Sequence, residues 1–301
     1  MFFESRTQTQ VTDLWKSKIL SLFITGILCL NLSAQSDCYF GYSANFCVGE
    51  KYYVYADAAN VRTGPDTDSD IKFKLPAGRE VLIVSVNKNP EELIMDGLNG
   101  QWLFVSETSE EKREGWIWSN TLSCKQLRRG DIKFVFGIDK AIEYGYKCTI
   151  KAVENGKIVD RKNYEIGFEE KIFNNARIMD NVFLDNVKHV VHLCIGGGAC
   201  GFGENNIYFA WLDEKKKLVD LPKAWSVSEA CQGAYSEMVA IPTENNYGIY
   251  NLLVKVSELI SVPDDYDDED CDRTGWPHEY KTELYRWNGE KAIICKTKEE
   301  R

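Results

Sequence analysis

Residues 59–122 constrain the fold most, because turn signals and short apolar runs alternate there at spacings that suit a small closed β structure. Asn60-Val61-Arg62 runs into Thr63-Gly64-Pro65-Asp66, where Gly and Pro supply turn geometry. Asp66, Thr67, Asp68 and Ser69 then make a polar loop, so a strand cannot continue there. Residues 80–86 are dense in β-branched side chains and follow the Pro76-Ala77-Gly78 turn, which marks them as a central strand. Trp102 and Phe104 lie two apart, as do Trp116 and Trp118, so each pair should share one face of its strand. That aromatic content is enough to close one core, in which Val61, Val81 and Trp116 are expected to meet.

These residues resemble a bacterial SH3 domain, a secreted relative of the SH3 barrel. The family pattern is met in order at Asn60-Val61-Arg62-Thr63-Gly64-Pro65, at Leu75 and Gly78, at Trp102 and Val105, and at Gly115-Trp116-Ile117. The chain departs from it by a long insertion at 88–100 and a charged one at 107–114, both in hairpin loops, where added length costs little entropy. The resemblance implies an SH3-like barrel over residues 51–124, acting as a binding module of the kind that accompanies cell-envelope proteins and cell-wall enzymes. It places a ligand groove between the 63–71 loop and the long loop before Trp102, with Asp66, Asp68, Trp102, Trp118 and Asn120 as ligand-binding candidates. An acidic rim over an aromatic floor suits a cationic or peptide-like ligand. The expected partner is thus a peptide, a peptidoglycan-like ligand or another envelope protein.

Upstream, Lys16 and Lys18 precede an apolar run at 19–32, and Leu32-Ser33-Ala34 puts small residues where a signal peptidase cuts. Residues 1–34 therefore read as a signal peptide, and residues 35–50 as a short aromatic lead-in lying against the barrel. The apolar run is too short to span a bilayer comfortably, so no transmembrane segment is expected in the mature chain. Gly26-Ile27-Leu28 ahead of Cys29 lacks the small residues of a lipobox, which favours a secreted or periplasmic protein over a lipoprotein. Glu4 and Asp13 are unusual in a signal and are consistent with a start site called too early. Removal of residues 1–34 takes three basic and two acidic side chains, leaving 33 basic and 44 acidic and a net charge of −11. That balance argues against nucleic acid or anionic lipid as partner.

Nine cysteines remain after residue 34, and in an exported chain they read as disulfides. Cys38 with Cys47, and Cys194 with Cys200, are close enough to close small loops; an odd total leaves at least one thiol free or bridged to another chain. No CxxC pair occurs, so neither a metal nor a cofactor is expected.

Residues 130–301 read as a second, mostly β domain of unknown ligand, following a polar boundary at 124–130. Strands are expected at 132–138, 144–153, 157–164, 187–195, 207–212, 217–221, 238–242, 247–256, 283–287 and 291–295. Hairpin turns fall at Asn155-Gly156 and Asn288-Gly289. Only residues 226–235 suggest a short helix. Frequent strands favour a sandwich or curved sheet in preference to a propeller fragment.

Three further stretches carry potential chemistry. Residues 194–203 hold five glycines, but no Lys or helix follows as a phosphate loop requires, so a tight loop closed by Cys194 and Cys200 is the expectation. His192 and Cys194 share a strand face that His189 leaves, and a zinc site there would need ligands from elsewhere. The acidic run at 264–272 lacks the spacing and glycine of a calcium loop and reads as solvated. Asp270-Cys271-Asp272 superficially resembles the nucleophile segment of a Cys-His cell-wall peptidase. Only thirty residues follow Cys271, however, and His278 is seven away in a Pro-bearing turn, which does not suit that family's spacing. The expectation is an exported, non-catalytic envelope protein, with a cell-wall hydrolase carrying an SH3-like targeting domain as the alternative.

Overall fold

Among the described residues the β-branched and aromatic runs mostly become strands, and the only helical element is a 3-10 turn at Ser119–Thr121. The structure is a computed structural model describing residues 38–40, 45–87, 93–167, 173–180, 182–196, 203–229, 233–243, 249–263 and 276–300. The expected signal peptide, Cys200, Cys271 and the acidic run at 264–272 lie outside these residues.

Strands β1 (Cys38–Phe40) and β2 (Asn45–Cys47) form a short antiparallel pair in which Cys38 and Cys47 are direct register partners. Cys47 is disulfide-bonded. Beyond them come β3 (Lys51–Tyr53), β4 (Ala58–Arg62), β5 (Ile71–Pro76), β6 (Glu80–Val86), β7 (Leu93–Met95), β8 (Leu98–Gly100), β9 (Trp102–Glu107) and β10 (Glu114–Trp118). Six of these make one antiparallel sheet in the order β3-β6-β9-β10-β4-β5, while β7 and β8 pair as a separate hairpin. The sheet curls around a single core of Phe46, Val54, Val61, Leu75, Val81, Ile83, Leu103, Val105, Ile117 and Leu122. Each fully buried Val, Leu or Ile there contributes about 1.5–3 kcal/mol. Phe46 brings the lead-in onto this core.

Val61 and Val81 meet as expected, but Trp116 does not join them. Ile117 fills that interior, and Trp116 is half-buried on the opposite face, edge-on to Phe104 with ring centroids 5.3 Å apart. The reason is parity: Trp116 pairs with Phe104 and Trp118 with Trp102, so all four aromatics occupy the outer face, and Leu103, Val105 and Ile117 the inner one.

The remaining strands are β11 (Leu127–Arg129), β12 (Ile132–Ile142), β13 (Gly145–Glu154), β14 (Lys157–Gly167), β15 (Phe173–Met179), β16 (His189–Gly196), β17 (Glu204–Leu212), β18 (Lys217–Asp220), β19 (Ala224–Glu229), β20 (Gly233–Ala240), β21 (Leu252–Ile260), β22 (His278–Trp287) and β23 (Ala292–Glu300). β11 to β14 form a four-stranded antiparallel sheet; β15 onward form a nine-stranded one, with β18 alongside β17. Asn155 and Gly156 adopt the positive φ values, 50° and 75°, that a two-residue hairpin turn requires. The expected helix at 226–235 is absent: its described residues belong to β19 and β20, which pair Val227 with Tyr235.

The two sheets pack face to face through Phe134, Phe136 and Ile150 on one side and Leu193, Phe209 and Trp211 on the other, as in a sandwich. β12 is buried on both faces. Its alternate residue Val135, with Val153 of β13, packs against Tyr53, Tyr55 and Ala77 of the curled sheet. The four-stranded sheet is thus the middle of three layers, and the curled sheet is seated on its outer face.

Candidate functional site

A cleft of about 350 Å³ opens where the curled sheet, the β7–β8 hairpin and β12 converge. Trp102 and Trp118 are direct register partners across β9 and β10, and their rings meet edge-on with centroids 5.6 Å apart. Only 6% of each is exposed, and both line the cleft. Gly100 permits this packing, since a Cβ there would lie 2.3 Å from the Trp118 ring. Asn120 follows in the 3-10 turn, where its Nδ2 donates to the Asn99 carbonyl at 3.2 Å, fixing the side chain at the cleft edge.

Three of the five expected ligand-binding residues, Trp102, Trp118 and Asn120, therefore come together. Asp66 and Asp68 do not line the cleft, and Thr67 between them does. Asp66 instead organises its own loop: Oδ1 accepts from the Asp68 and Ser69 amides at 2.8 and 2.6 Å, and Oδ2 from the Ser69 hydroxyl at 2.7 Å. The Ser69 hydroxyl holds that carboxyl below the usual range. Arg62 closes the loop from inside the cleft by donating to the Ser69 carbonyl at 2.7 Å.

The opposite wall was not legible beforehand, because it comes from the second sheet. Tyr55 leaves the curled sheet to lie on Gly137, where a Cβ would sit 3.0 Å from its ring. Its hydroxyl donates to Asp139 Oδ1 at 2.5 Å, and the Thr149 hydroxyl lies 2.6 Å from Oδ2. Burial first, and the Asp139 carboxylate second, push the Tyr55 phenol far above its ordinary value, so it is a permanent donor. Lys151, 5% exposed, lies 4.1 Å over the Tyr55 ring, donates to the Tyr55 carbonyl at 2.9 Å and pairs with Asp57 Oδ1 at 2.9 Å. Asp139 continues the face of β12 that carries Val135 and Gly137, which is the face turned to Tyr55, and a register shift between Ile138 and Lys140 marks a β-bulge at this point.

A second polar cluster lies on the long sheet. Arg177 Nε donates to His192 Nδ1 at 3.2 Å, which leaves Nε2 to donate to Asn206 Oδ1 at 2.7 Å; Asn206 Nδ2 donates to Glu204 Oε1 at 3.1 Å. The imidazole stacks on Tyr208 with centroids 4.5 Å apart. Cys194 shares this face as a free, buried thiol, which corrects the expected bridge to Cys200. Burial and Glu204 push its pKa up to about 11. With both imidazole nitrogens engaged and the thiol held protonated, the cluster lacks the activated pair that nucleophilic chemistry needs. His278 lies apart, with Nδ1 2.8 Å from Glu258 Oε1. Among the described residues no group of three or more His, Cys, Asp or Glu side chains is arranged to hold a metal ion, and no helix is long and apolar enough to cross a membrane.

Comparison with known proteins gave no matching family model, no matching curated protein and no matching solved structure.

Proposed function

We propose that this chain is an exported cell-envelope protein whose SH3-like barrel, residues 51–124, is a non-catalytic binding module for a peptide or peptidoglycan-like ligand. The observation that supports this reading best is the cleft walled by Trp102, Trp118 and Asn120. It is a concave surface in which aromatic and aliphatic side chains alternate with polar and charged groups, several of them held by hydrogen bonds, the character of a small-ligand site. In the same reading residues 1–34 are removed on export, and Cys38 is the disulfide partner of Cys47, which faces it across β1 and β2. Residues 130–301 serve as the rigid body against which the module is mounted.

Calorimetric titration of the full mature chain with soluble muropeptides, and separately with short basic peptides, tests the proposal. Saturable binding that weakens about tenfold or more in Trp102→Ala and Asn120→Ala variants is expected. Unchanged binding in both variants would place the ligand elsewhere, and release of soluble fragments from purified peptidoglycan would favour a hydrolase.

A further inference from the structure

The cleft's charges are not evenly satisfied. Of its two cations, Lys151 is paired with Asp57 at 2.9 Å, and Arg62 lies within electrostatic reach of Asp66. Asp139 has no such counterpart among the described residues; its partners are the Tyr55 and Thr149 hydroxyls, one on each oxygen. A carboxylate offers about four lone-pair sites, so two remain for a ligand. Asp139 lies on the face of β12 that Val135 and Gly137 turn to the curled sheet, which brings its carboxylate to the cleft, and the two indoles border the same cleft.

Resting on the reading of the cleft as a peptide-binding site, we propose that Asp139 anchors the ammonium group of a lysine-like side chain of the ligand, so that the second sheet completes the barrel's binding site. The hydroxyls from Tyr55 and Thr149 orient the carboxylate, and the aliphatic stem runs past the edge of the cleft that Trp102 and Trp118 border. In this arrangement the ligand is recognised only where the two sheets are docked.

The test compares Gly-Gly-Lys amide with the same peptide acetylated on Nε, titrated into the mature wild-type chain and into Asp139→Asn. Wild type is expected to bind the free amine about tenfold or more tightly than the acetylated peptide, and Asp139→Asn to bind both equally weakly. In wild type the carboxylate carbon of Asp139 should shift with the free amine and not with the acetylated peptide, a readout that does not depend on the variant folding. Equal binding of both peptides to wild type would overturn the role of Asp139 while leaving the cleft as a peptide site. Discrimination that survives in Asp139→Asn, or an Asp139 carbon that does not move, would overturn it too. Binding of neither peptide would overturn both readings.

Discussion

The Tyr55 hydroxyl donates to Asp139 Oδ1 at 2.5 Å, joining residues 84 positions apart and binding the curled sheet to the bulged strand of its neighbour. The Tyr55 ring meanwhile lies against Gly137 and beneath Lys151, so one side chain organises hydrogen-bonded, packed and cationic contacts at the same junction.

Tyr55→Phe keeps the ring and removes only the donor. A hydrogen bond to a charged group is worth about 1.5–3 kcal/mol, so a loss at the lower end of that range is expected from urea unfolding, given that Asp139 is half-buried. Tyr55→Ala should cost more, about 3–5 kcal/mol, because the ring's packing also goes. An unchanged urea midpoint in both variants would mean that this junction does not hold the layers together.

Gly100→Ala tests how tightly β8 lies on the aromatic wall. The added methyl would meet the Trp118 ring at 2.3 Å, and the buried indole has little room to yield. Overpacking of this kind costs about 1–3 kcal/mol. A lowered melting midpoint together with a changed near-ultraviolet circular dichroism signal is expected; neither would change if the hairpin moved aside freely.

The turns were the most legible part of the sequence. Asn155-Gly156 adopts the positive φ values that its chemistry invites, and Asn288-Gly289 joins β22 to β23. The shared faces of Trp102 with Phe104 and of Trp116 with Trp118 were legible too, from spacing alone. Which face points inward was not, because both faces of β9 and β10 carry apolar side chains. Leu103, Val105 and Ile117 fill the core on one side, while Trp102 and Trp118 are buried on the other by elements that no local pattern reveals. Asp139 was missed for a related reason. Both faces of β12 are covered, so its pattern does not single out the face that Asp139 shares with Val135 and Gly137, and the side chain's surroundings come from Tyr55 and Thr149, distant in sequence or on the next strand. The Ser, Glu and Ala content of residues 226–235 suggests a helix and masks the strand period, but pairing of β19 with β17 and of β20 with β21 overrides local propensity.

His192 predicts a pH dependence. Burial lowers its pKa, the Asn206 hydrogen bond partly opposes that, and the Arg177 guanidinium lowers it further. The charged or titratable groups facing it are Arg177, Glu204, Cys194 and Tyr208. Between the lowered folded value and about 6.5 in the unfolded chain, the unfolded state binds more protons, so this residue's contribution is complete above that upper limit and is lost as pH falls. The fall in urea midpoint between pH 7.5 and pH 5 should therefore be smaller in His192→Gln than in wild type. Equal falls would show that the imidazole titrates alike in both states.

The thiols should differ sharply in reactivity. Cys124, Cys148 and Cys194 are buried and Cys295 is exposed, with burial raising the pKa of both Cys148 and Cys194. Brief alkylation of the native protein followed by peptide mapping should label Cys295 ahead of the other three, which react only after unfolding. Labelling of Cys194 at the rate of Cys295 would mean that its face of β16 opens readily.

A ligand entering between the indole pair and the bulged strand is detected most directly by a two-dimensional NMR titration of the mature chain with the lysine peptide. The indole N–H signals of Trp102 and Trp118 and the backbone amide of Asp139 should move together along one saturation curve. Saturable binding that shifts residues elsewhere and leaves these three in place would contradict it.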